Sequence, residues 1–243
     1  MGSARASRRR RWCRPWSSCR RASPRGPARG NGCRSVGEER SELVTMRATP
    51  GFGEFWPGPR MHGLYAAHPE LDVRVTSTIW NTELLEAGID LEIRYGTDEW
   101  PELERRRLTR EHLAPVCSPA LAEWLGNDPA RLAQARLLHV DGFRNGWPAW
   151  LHQAGVADRV DGGSGSHFDT AILPIQLAEH GLGVALGRWS MTEPRIAAGT
   201  LVRPFAVTMP TEEAFYVCWP SEEALRPEAA LVRDWLVEQA RDP

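Results

Sequence analysis

The chain has 243 residues, of which 42% are hydrophobic, so it is long enough to bury the core of one large domain or two lobes. All basic residues are arginines; residues 1–42 contain 12 of them with three acidic residues, whereas residues 43–243 contain 18 arginines and 28 acidic residues. The body is therefore acidic, which is unfavourable for holding a phosphate backbone, and its composition excludes a chain that is disordered throughout.

Residues 1–42 are rich in Arg, Ser, Pro and Gly and show no apolar periodicity, which predicts a disordered tail. Its arginines allow a nucleic-acid-binding arm. The composition is also that of a GC-rich gene translated from a wrong start or frame, and this interpretation is favoured. "RRRRW" resembles the start of a twin-arginine signal, but no apolar segment follows, so no signal peptide is expected.

The five cysteines predict neither a zinc site nor a disulfide framework. Cys13, Cys19 and Cys33 have spacings that match neither pattern. Cys117 and Cys218 lie in apolar runs and are expected to be small buried hydrophobic residues in a reducing cytoplasm. No stretch of eighteen apolar residues exists, so no membrane-spanning segment is expected.

From Leu43 the apolar pattern changes to alternating strands and helices. The succession strand, helix, strand, helix, strand within about fifty residues favours a parallel sheet with right-handed crossovers. The predicted elements are "LVTMRAT" (strand), "PGFGEFWPGPRMHGLYAAHPE" (helix), "LDVRVTSTIW" (strand), "NTELLEAG" (helix) and "IDLEIRYG" (strand).

A second α/β unit follows, which predicts two lobes with a cleft between them. A last strand and helix would complete the first lobe if the chain crosses back. The predicted strands are "HLAPVCSP", "RLLHVDGF", "RVDGGSGS", "LGVALG" and "AFYVCWP"; the predicted helices are "PALAEWLG", "DPARLAQ", "PAWLHQAGV", "FDTAILPIQLAEHG" and "EAALVRDWLVEQARD".

Ligands of open α/β sheets bind beyond the carboxyl ends of the strands, where Arg94 and Tyr95 are expected to lie at the cleft edge. Arg94 either meets an anion or pairs with a carboxylate such as Asp98 or Glu99, and the pair is favoured. His167 precedes a predicted helix; a ligand contact and a plain helix-entry residue are equally weighted.

Enzyme motifs are weak in this sequence. "GSGSHF" and "GLGVALG" do not fit a dinucleotide fingerprint, "GGSGS" does not fit a nucleophile elbow, and no His-Glu-x-x-His pair occurs. We therefore expect no catalytic residues, no metal and no cofactor. A small cytoplasmic enzyme is the least favoured function.

Six ordered blocks resemble the effector-binding domain of LysR-type transcriptional regulators, in particular the glycine-cleavage-activator-like branch. They cover about residues 43–243 and are "HPELDVRV", "LLEAGIDLEIRYGTDEWPELERRRL", "LAPVCSPAL", "LLHVDGFRNGWPAWL", "LAEHGLGVALGRWSM" and "LVRPF". The resemblance implies an α/β, periplasmic-binding-protein-like fold. Two subdomains, residues 43–112 plus 216–243 and residues 113–215, would be joined by crossover strands near 113–118 and 214–219.

The resemblance also implies a small effector, often a carboxylate or amino-acid-like compound, bound between the subdomains. The implied ligand-binding residues are Thr49, Thr78, Phe143, His167 and Phe168, the last two at a helix start. Where the family reads Trp-Leu-x-Pro-Arg-Leu, this chain has Pro57 and Gly58, which should loosen the helix.

The family's helix-turn-helix is not visible in residues 1–42. DNA binding is therefore expected only if a corrected N-terminus supplies it. We expect a cytoplasmic ligand-sensing domain that forms a homo-oligomer through the effector domain and contacts no membrane. The alternative is a stand-alone binding module that has lost its DNA-reading half.

Overall fold

The computed structural model describes residues 43–79 and 88–240. The predicted disorder of residues 1–42 lies outside these ranges, as does the predicted helix at residues 81–88 apart from Gly88. Within them, the chain forms two five-stranded sheets with helices packed on them.

The first sheet combines the amino-terminal strands with one late strand. Its members are β1 (Leu43–Ala48), β2 (Asp72–Ser77), β3 (Leu91–Gly96), β4 (Glu104–Arg107) and β10 (Ala214–Trp219). Their order is β2-β1-β3-β10-β4. The predicted parallel pairing is confirmed for β1 with β2 and β3, whereas β10 runs antiparallel to β3 and β4. The sheet is therefore mixed, and the predicted return of the chain through β10 is confirmed.

The second sheet repeats this mixed arrangement. Its members are β5 (His112–Val116), β6 (Leu137–Val140), β7 (Ser166–Phe168), β8 (Val184–Arg188) and β9 (Met209–Pro210). Their order is β7-β6-β8-β5-β9. Strand β6 is parallel to β7 and β8, whereas β5 is antiparallel to β8 and β9.

Helices follow most strands, as the sequence predicts, but one was missed. Its segment follows β8 without a turn and contains Pro194, which is unfavourable inside a helix. In the described ranges, no helix combines the length and the apolar character needed to cross a membrane. The helices are α1 (Pro50–Phe55), α2 (Met61–Ala67), α3 (Pro119–Leu125), α4 (Trp147–Gln153), α5 (Ile172–Glu179), the missed α6 (Trp189–Ala197) and α7 (Pro227–Gln239), with 3-10 turns at Gly58–Arg60 and Pro129–Gln134.

The first predicted helix was expected to be loosened at Pro57 and Gly58, and the structure shows that it is broken there. Helix α1 ends at Phe55, and a 3-10 turn at Gly58–Arg60 separates it from α2. Pro57 has no N–H with which to continue the helical hydrogen bonds. The break places Phe52 and Phe55 in the core while the following turn contains no buried residue.

The prediction that "RVDGGSGS" is a strand is wrong. The strand is β7, which begins only at Ser166. Before it, the Asp161 side chain accepts a hydrogen bond from the backbone N–H of Gly163, and this local bond stabilises a turn. His167 and Phe168 therefore lie on a strand and not at a helix start, because α5 begins at Ile172.

One hydrophobic cluster packs residues of both sheets together. Phe52 and Ile93 from the first half of the chain share it with Leu138, Ala185 and Met191. A second cluster lies around Trp147 and Trp150 of α4 and belongs to the second sheet and its helices. Apolar contacts in this shared cluster therefore connect the two sheets.

The cysteine prediction for the body of the protein is confirmed. Cys117 and Cys218 are buried and free. Burial raises the pKa of each thiol to about 12, so both remain protonated and unreactive in the folded protein.

Candidate functional site

A cavity of about 250 Å³ lies between the two sheets, and we call it the main cavity. Thr49, which follows β1, and Tyr95, at the end of β3, line it from the first sheet. The segment Val140–Phe143, at the end of β6, lines it from the second. These residues lie at the carboxyl ends of strands, where open α/β sheets bind ligands.

The walls of the main cavity are mostly apolar. They include Phe52, Ile79, Ala171 and Met191. Gly51 allows close packing there, because a Cβ atom at this position would lie 3.1 Å from the Cβ of Ala171, closer than most Cβ contacts. Close packing of α1 on the start of α5 thus shapes one wall.

Of the predicted ligand-binding residues, Thr49 and Phe143 line the main cavity, as does the cleft-edge residue Tyr95. The Thr49 side chain makes no hydrogen bond to the amino end of α1. Phe143 packs edge-on against Tyr95 with ring centroids 5.1 Å apart. These three residues bring both sheets into contact with one space.

Thr78, His167 and Phe168 do not line the main cavity. Thr78 is half-buried; its backbone N–H donates to the Ala48 carbonyl, and its neighbour Ile79 is the lining residue. Phe168 packs against the hydrophobic cluster shared by both sheets.

His167 lies beside the cavity rather than in it. Its Nδ1 atom is 3.0 Å from a carboxylate oxygen of Asp141, and its ring stacks on that of His139 with centroids 4.2 Å apart. The hydrogen bond to Asp141 raises the pKa of His167 above its ordinary value. His167 therefore contacts Asp141, which lines the main cavity.

Arg94, which was also predicted at the cleft edge, does not line the main cavity; it is buried and has a structural partner. Its Nε and Nη2 atoms lie 2.9 and 2.8 Å from Oε2 of Glu92, a fully buried carboxylate on the same strand. Arg47 of β1 contacts the other oxygen of Glu92 at 2.9 Å. The expected partners were Asp98 or Glu99; Asp98 instead pairs with Arg105.

Arg188, at the end of β8, connects the two sheets. Its Nε atom donates to the Tyr95 hydroxyl at 3.0 Å, and its guanidinium carbon lies 3.2 Å from the centre of the Phe143 ring. Burial raises the pKa of Tyr95 to about 12, although the Arg188 charge acts in the opposite direction. Tyr95 is therefore a neutral phenol that accepts this hydrogen bond.

A second cavity of about 170 Å³, the side cavity, is lined by Arg188, Asn145 and His139. It shares the segment Val140–Phe143 with the main cavity. Gly142, in that segment, has a φ of 86°, a conformation that favours glycine. No side chain therefore projects from this position toward either cavity.

No group of three or more His, Cys, Asp or Glu residues suited to a metal ion occurs in residues 43–79 and 88–240. The polar groups around the cavities are hydroxyls, carboxylates, an imidazole, an amide and a guanidinium. This set is suited to binding a small polar-apolar molecule.

A family model described as "LysR substrate binding domain" matches residues 37–241. The chain belongs to this family. The "HTH-type transcriptional activator AmpR" of Rhodobacter capsulatus is 33% identical to this LysR substrate-binding domain over 202 residues, which are 83% of this chain and 68% of that protein. The "Glycine cleavage system transcriptional activator" of Escherichia coli K12 is 33% identical over 199 residues, 81% of this chain and 65% of that protein. The chain thus spans about two thirds of the length of these relatives.

Solved structures show the same fold. The effector domain of AmpR from Pseudomonas aeruginosa superposes with a TM-score of 0.69 at 28% identity, covering 82% of this chain and 95% of that one. The AmpR effector-binding domain from Citrobacter freundii gives 0.70 at 20% identity, covering 83% and 100%. The predicted periplasmic-binding-protein-like architecture is confirmed, and the family consists of transcriptional regulators rather than enzymes.

Sequence reasoning missed several residues around the cavities in this LysR substrate-binding domain. Asp141 and Arg188 were not singled out, although each lies at the carboxyl end of a second-sheet strand as Tyr95 does in the first. Applying the strand-end rule to both lobes would have found them. Gly51 and Asp169 had no comparable signal, because only the packing of α1 against the start of α5 brings them to the cavity.

Proposed function

We propose that this domain senses a small molecule bound in the main cavity and thereby controls transcription. The supporting observation is a largely apolar cavity that both sheets line, in a fold shared with effector domains of transcriptional regulators. The proposed effector is a small carboxylate or amino-acid-like compound with an apolar body that fits against Phe52, Ile79 and Met191.

The proposed lobes are residues 43–112 plus 216–243 and residues 113–215. Thr49 and Tyr95 belong to the first, and Phe143 belongs to the second. A ligand that contacts all three residues favours the closed arrangement by its greater affinity for it. Thr78, His167 and Phe168 are proposed to position the lining residues Ile79 and Asp141 rather than to touch the ligand.

Control of transcription also requires DNA contact, which we propose a helix-turn-helix supplies in the cytoplasm. We further propose that the effector domain forms a homo-oligomer. The outer strand of the first sheet, β2, supports this proposal, since Val75 on it is 47% exposed. An outer strand has a row of backbone groups that another chain can pair with. Light scattering of the purified protein should therefore give a mass above that of a single chain.

Calorimetric titration tests the ligand proposal. A panel of small carboxylates and amino acids is titrated into the wild-type protein and into the Thr170→Trp variant. Thr170 lines the main cavity, so the indole ring of the variant should fill part of it. Thr208→Trp is the matched control, because Thr208 lines neither cavity. We expect binding to the wild type and the control and none to Thr170→Trp; equal binding to all three proteins would place the ligand elsewhere.

A further inference from the structure

The Arg188 side chain is buried, and the protein satisfies only part of its hydrogen-bonding capacity. The residue is only 3% exposed, and its buried Nη2 atom makes no hydrogen bond. Within the described ranges, no carboxylate lies within 4.0 Å of its guanidinium nitrogens. Its partners are instead a neutral phenol and the faces of two aromatic rings, Tyr95 and Phe143.

Two buried carboxylates, Glu111 and Glu213, act electrostatically on the Tyr95 hydroxyl. Neither of them bonds the buried Nη2 atom of Arg188, and a buried donor without a partner is unfavourable. A buried guanidinium loses its hydration, and a neutral hydroxyl or ring face replaces only part of it. Charge-assisted, two-point hydrogen bonds to a carboxylate compensate a buried arginine far better. The side cavity gives access for such a group, because Arg188 lines it together with the Asn145 amide.

The main cavity offers no comparable position for a negative group. Its lining contains two carboxylates, Asp141 and Asp169, and neither arginine nor histidine. A carboxylate held there alone would be repelled by both, whereas in the side cavity, which Asp141 also lines, Arg188 is present as a counter-charge. Arg188 lies at the shared wall, where it contacts the rings of the lining residues Tyr95 and Phe143.

We infer that Arg188 binds the anionic group of the effector and that the side cavity is the subsite for that group. The inference rests on the proposed function. It assigns the apolar body of the ligand and its anionic group to different cavities. The apolar body occupies the main cavity, and the carboxylate passes the wall at Gly142, where no side chain projects, to reach Arg188. Binding there also links ligand charge to the contact between sheets, because the same guanidinium donates to Tyr95.

Paired acids and amides test the inference. Apolar monocarboxylic acids and amino acids of about four to nine carbon atoms, a size suited to a small apolar site, are titrated beside their primary amides. An amide keeps the shape of the acid and removes its charge. We expect the wild type to prefer acids, and Arg188→Gln to weaken acid binding by about 10- to 100-fold while leaving amide binding nearly unchanged.

Arg136→Gln is the matched control, since it removes the same charge from an exposed residue that lines neither cavity. It should leave the preference for acids intact. If Arg188→Gln does not fold, Arg188→Lys replaces it. Lysine keeps the charge but loses the planar fork, so the preference should shrink without disappearing.

The outcomes separate the inference from the proposed function. A preference for acids that disappears in Arg188→Gln, or shrinks in Arg188→Lys, and that persists in Arg136→Gln supports both. Equal binding of acids and amides to the wild type, or a preference that survives Arg188→Gln, overturns the role of Arg188 and leaves ligand sensing intact. Absence of binding by every compound to the wild type overturns the proposed small-carboxylate effector and, with it, this subsite.

Discussion

Neutralising Glu92 should destabilise the domain strongly, because this carboxylate lies between two buried arginines. Glu92 is fully buried, and the side chains of Arg47 and Arg94 are 5% and 3% exposed. The Glu92→Gln substitution keeps the shape of the side chain but leaves two buried guanidinium groups facing a neutral amide. The NH₂ group of the new amide would also point toward one of the two guanidinium groups.

Removing one partner from a buried charge pair costs about 3–5 kcal/mol. Glu92 pairs with two arginines, but we expect the free energy of unfolding to decrease by an amount within this range and not by twice as much. The reason is that the amide oxygen still accepts a hydrogen bond from one arginine. For a domain of this size the change corresponds to a decrease in Tm of roughly 6–20 °C.

Urea unfolding followed by tryptophan fluorescence measures the change in the free energy of unfolding. The control is Asp98→Asn, which removes the carboxylate from the exposed Arg105–Asp98 pair. Asp98 has a φ of 73°, which asparagine also tolerates, and an exposed pair contributes only about 0–1 kcal/mol. A loss for Glu92→Gln no larger than that of the control would refute the reasoning.

Three further outcomes are expected. Asp141→Asn should lower the pKa of His167 toward its ordinary value, because the Asp141 hydrogen bond is the main cause of its increase; NMR titration of the imidazole measures this, and an unchanged pKa contradicts it. Because folding raises the pKa of His167, protonation of this residue stabilises the folded protein at pH values below the ordinary histidine pKa. This stabilisation is lost as the pH rises through the raised pKa. Asp141→Asn should therefore reduce the pH dependence of the free energy of unfolding in this pH range. With Cys13, Cys19 and Cys33 changed to serine, a thiol reagent should label Cys117 and Cys218 only after denaturation; rapid labelling of the folded protein would show that they are accessible. Gly165→Ala should destabilise the domain by more than about 1 kcal/mol, because its Cβ would lie 2.1 Å from the Leu137 carbonyl oxygen and Gly165 has a φ of 125°. The control is Gly53→Ala in α1, whose Cβ would meet nothing within 4 Å. Thermal unfolding should show that this control is neutral or stabilising.

The strands and helices that sequence reasoning found are those with strong apolar periodicity. β3, β8 and β10 are buried along most of their length, and their apolar runs are visible in the sequence. Strand β4 was missed because its residues, "ERRR", are mostly exposed on the outer edge of the first sheet. Pairing with β10 determines its conformation, and no local pattern reports that pairing.

The site was predictable where one strand end identifies a residue and not where two segments must meet. Tyr95 follows directly from the end of β3, whereas Thr49, which follows β1, was implied by the family resemblance. The pairing of Arg94 did not follow from a strand end, because Glu92 lies two residues earlier on the same face, whereas the sequence suggested carboxylates beyond the strand. The position of His167 depends on the turn at Asp161. From the sequence alone, the small residues of "GGSGS" are instead expected at the end of a strand.

The buried charges of the first sheet also restrict how its strands can align. Arg47 and Glu92 are direct partners across β1 and β3, with Met46 beside Leu91. If β3 shifted by one residue, Arg47 would face Leu91 or Ile93, and both charged groups would be buried against aliphatic side chains. Apolar neighbours alone discriminate weakly between such alignments, because leucine, isoleucine and methionine are similar in volume. An arginine and a glutamate thus make one pairing of these strands far more favourable than its neighbours.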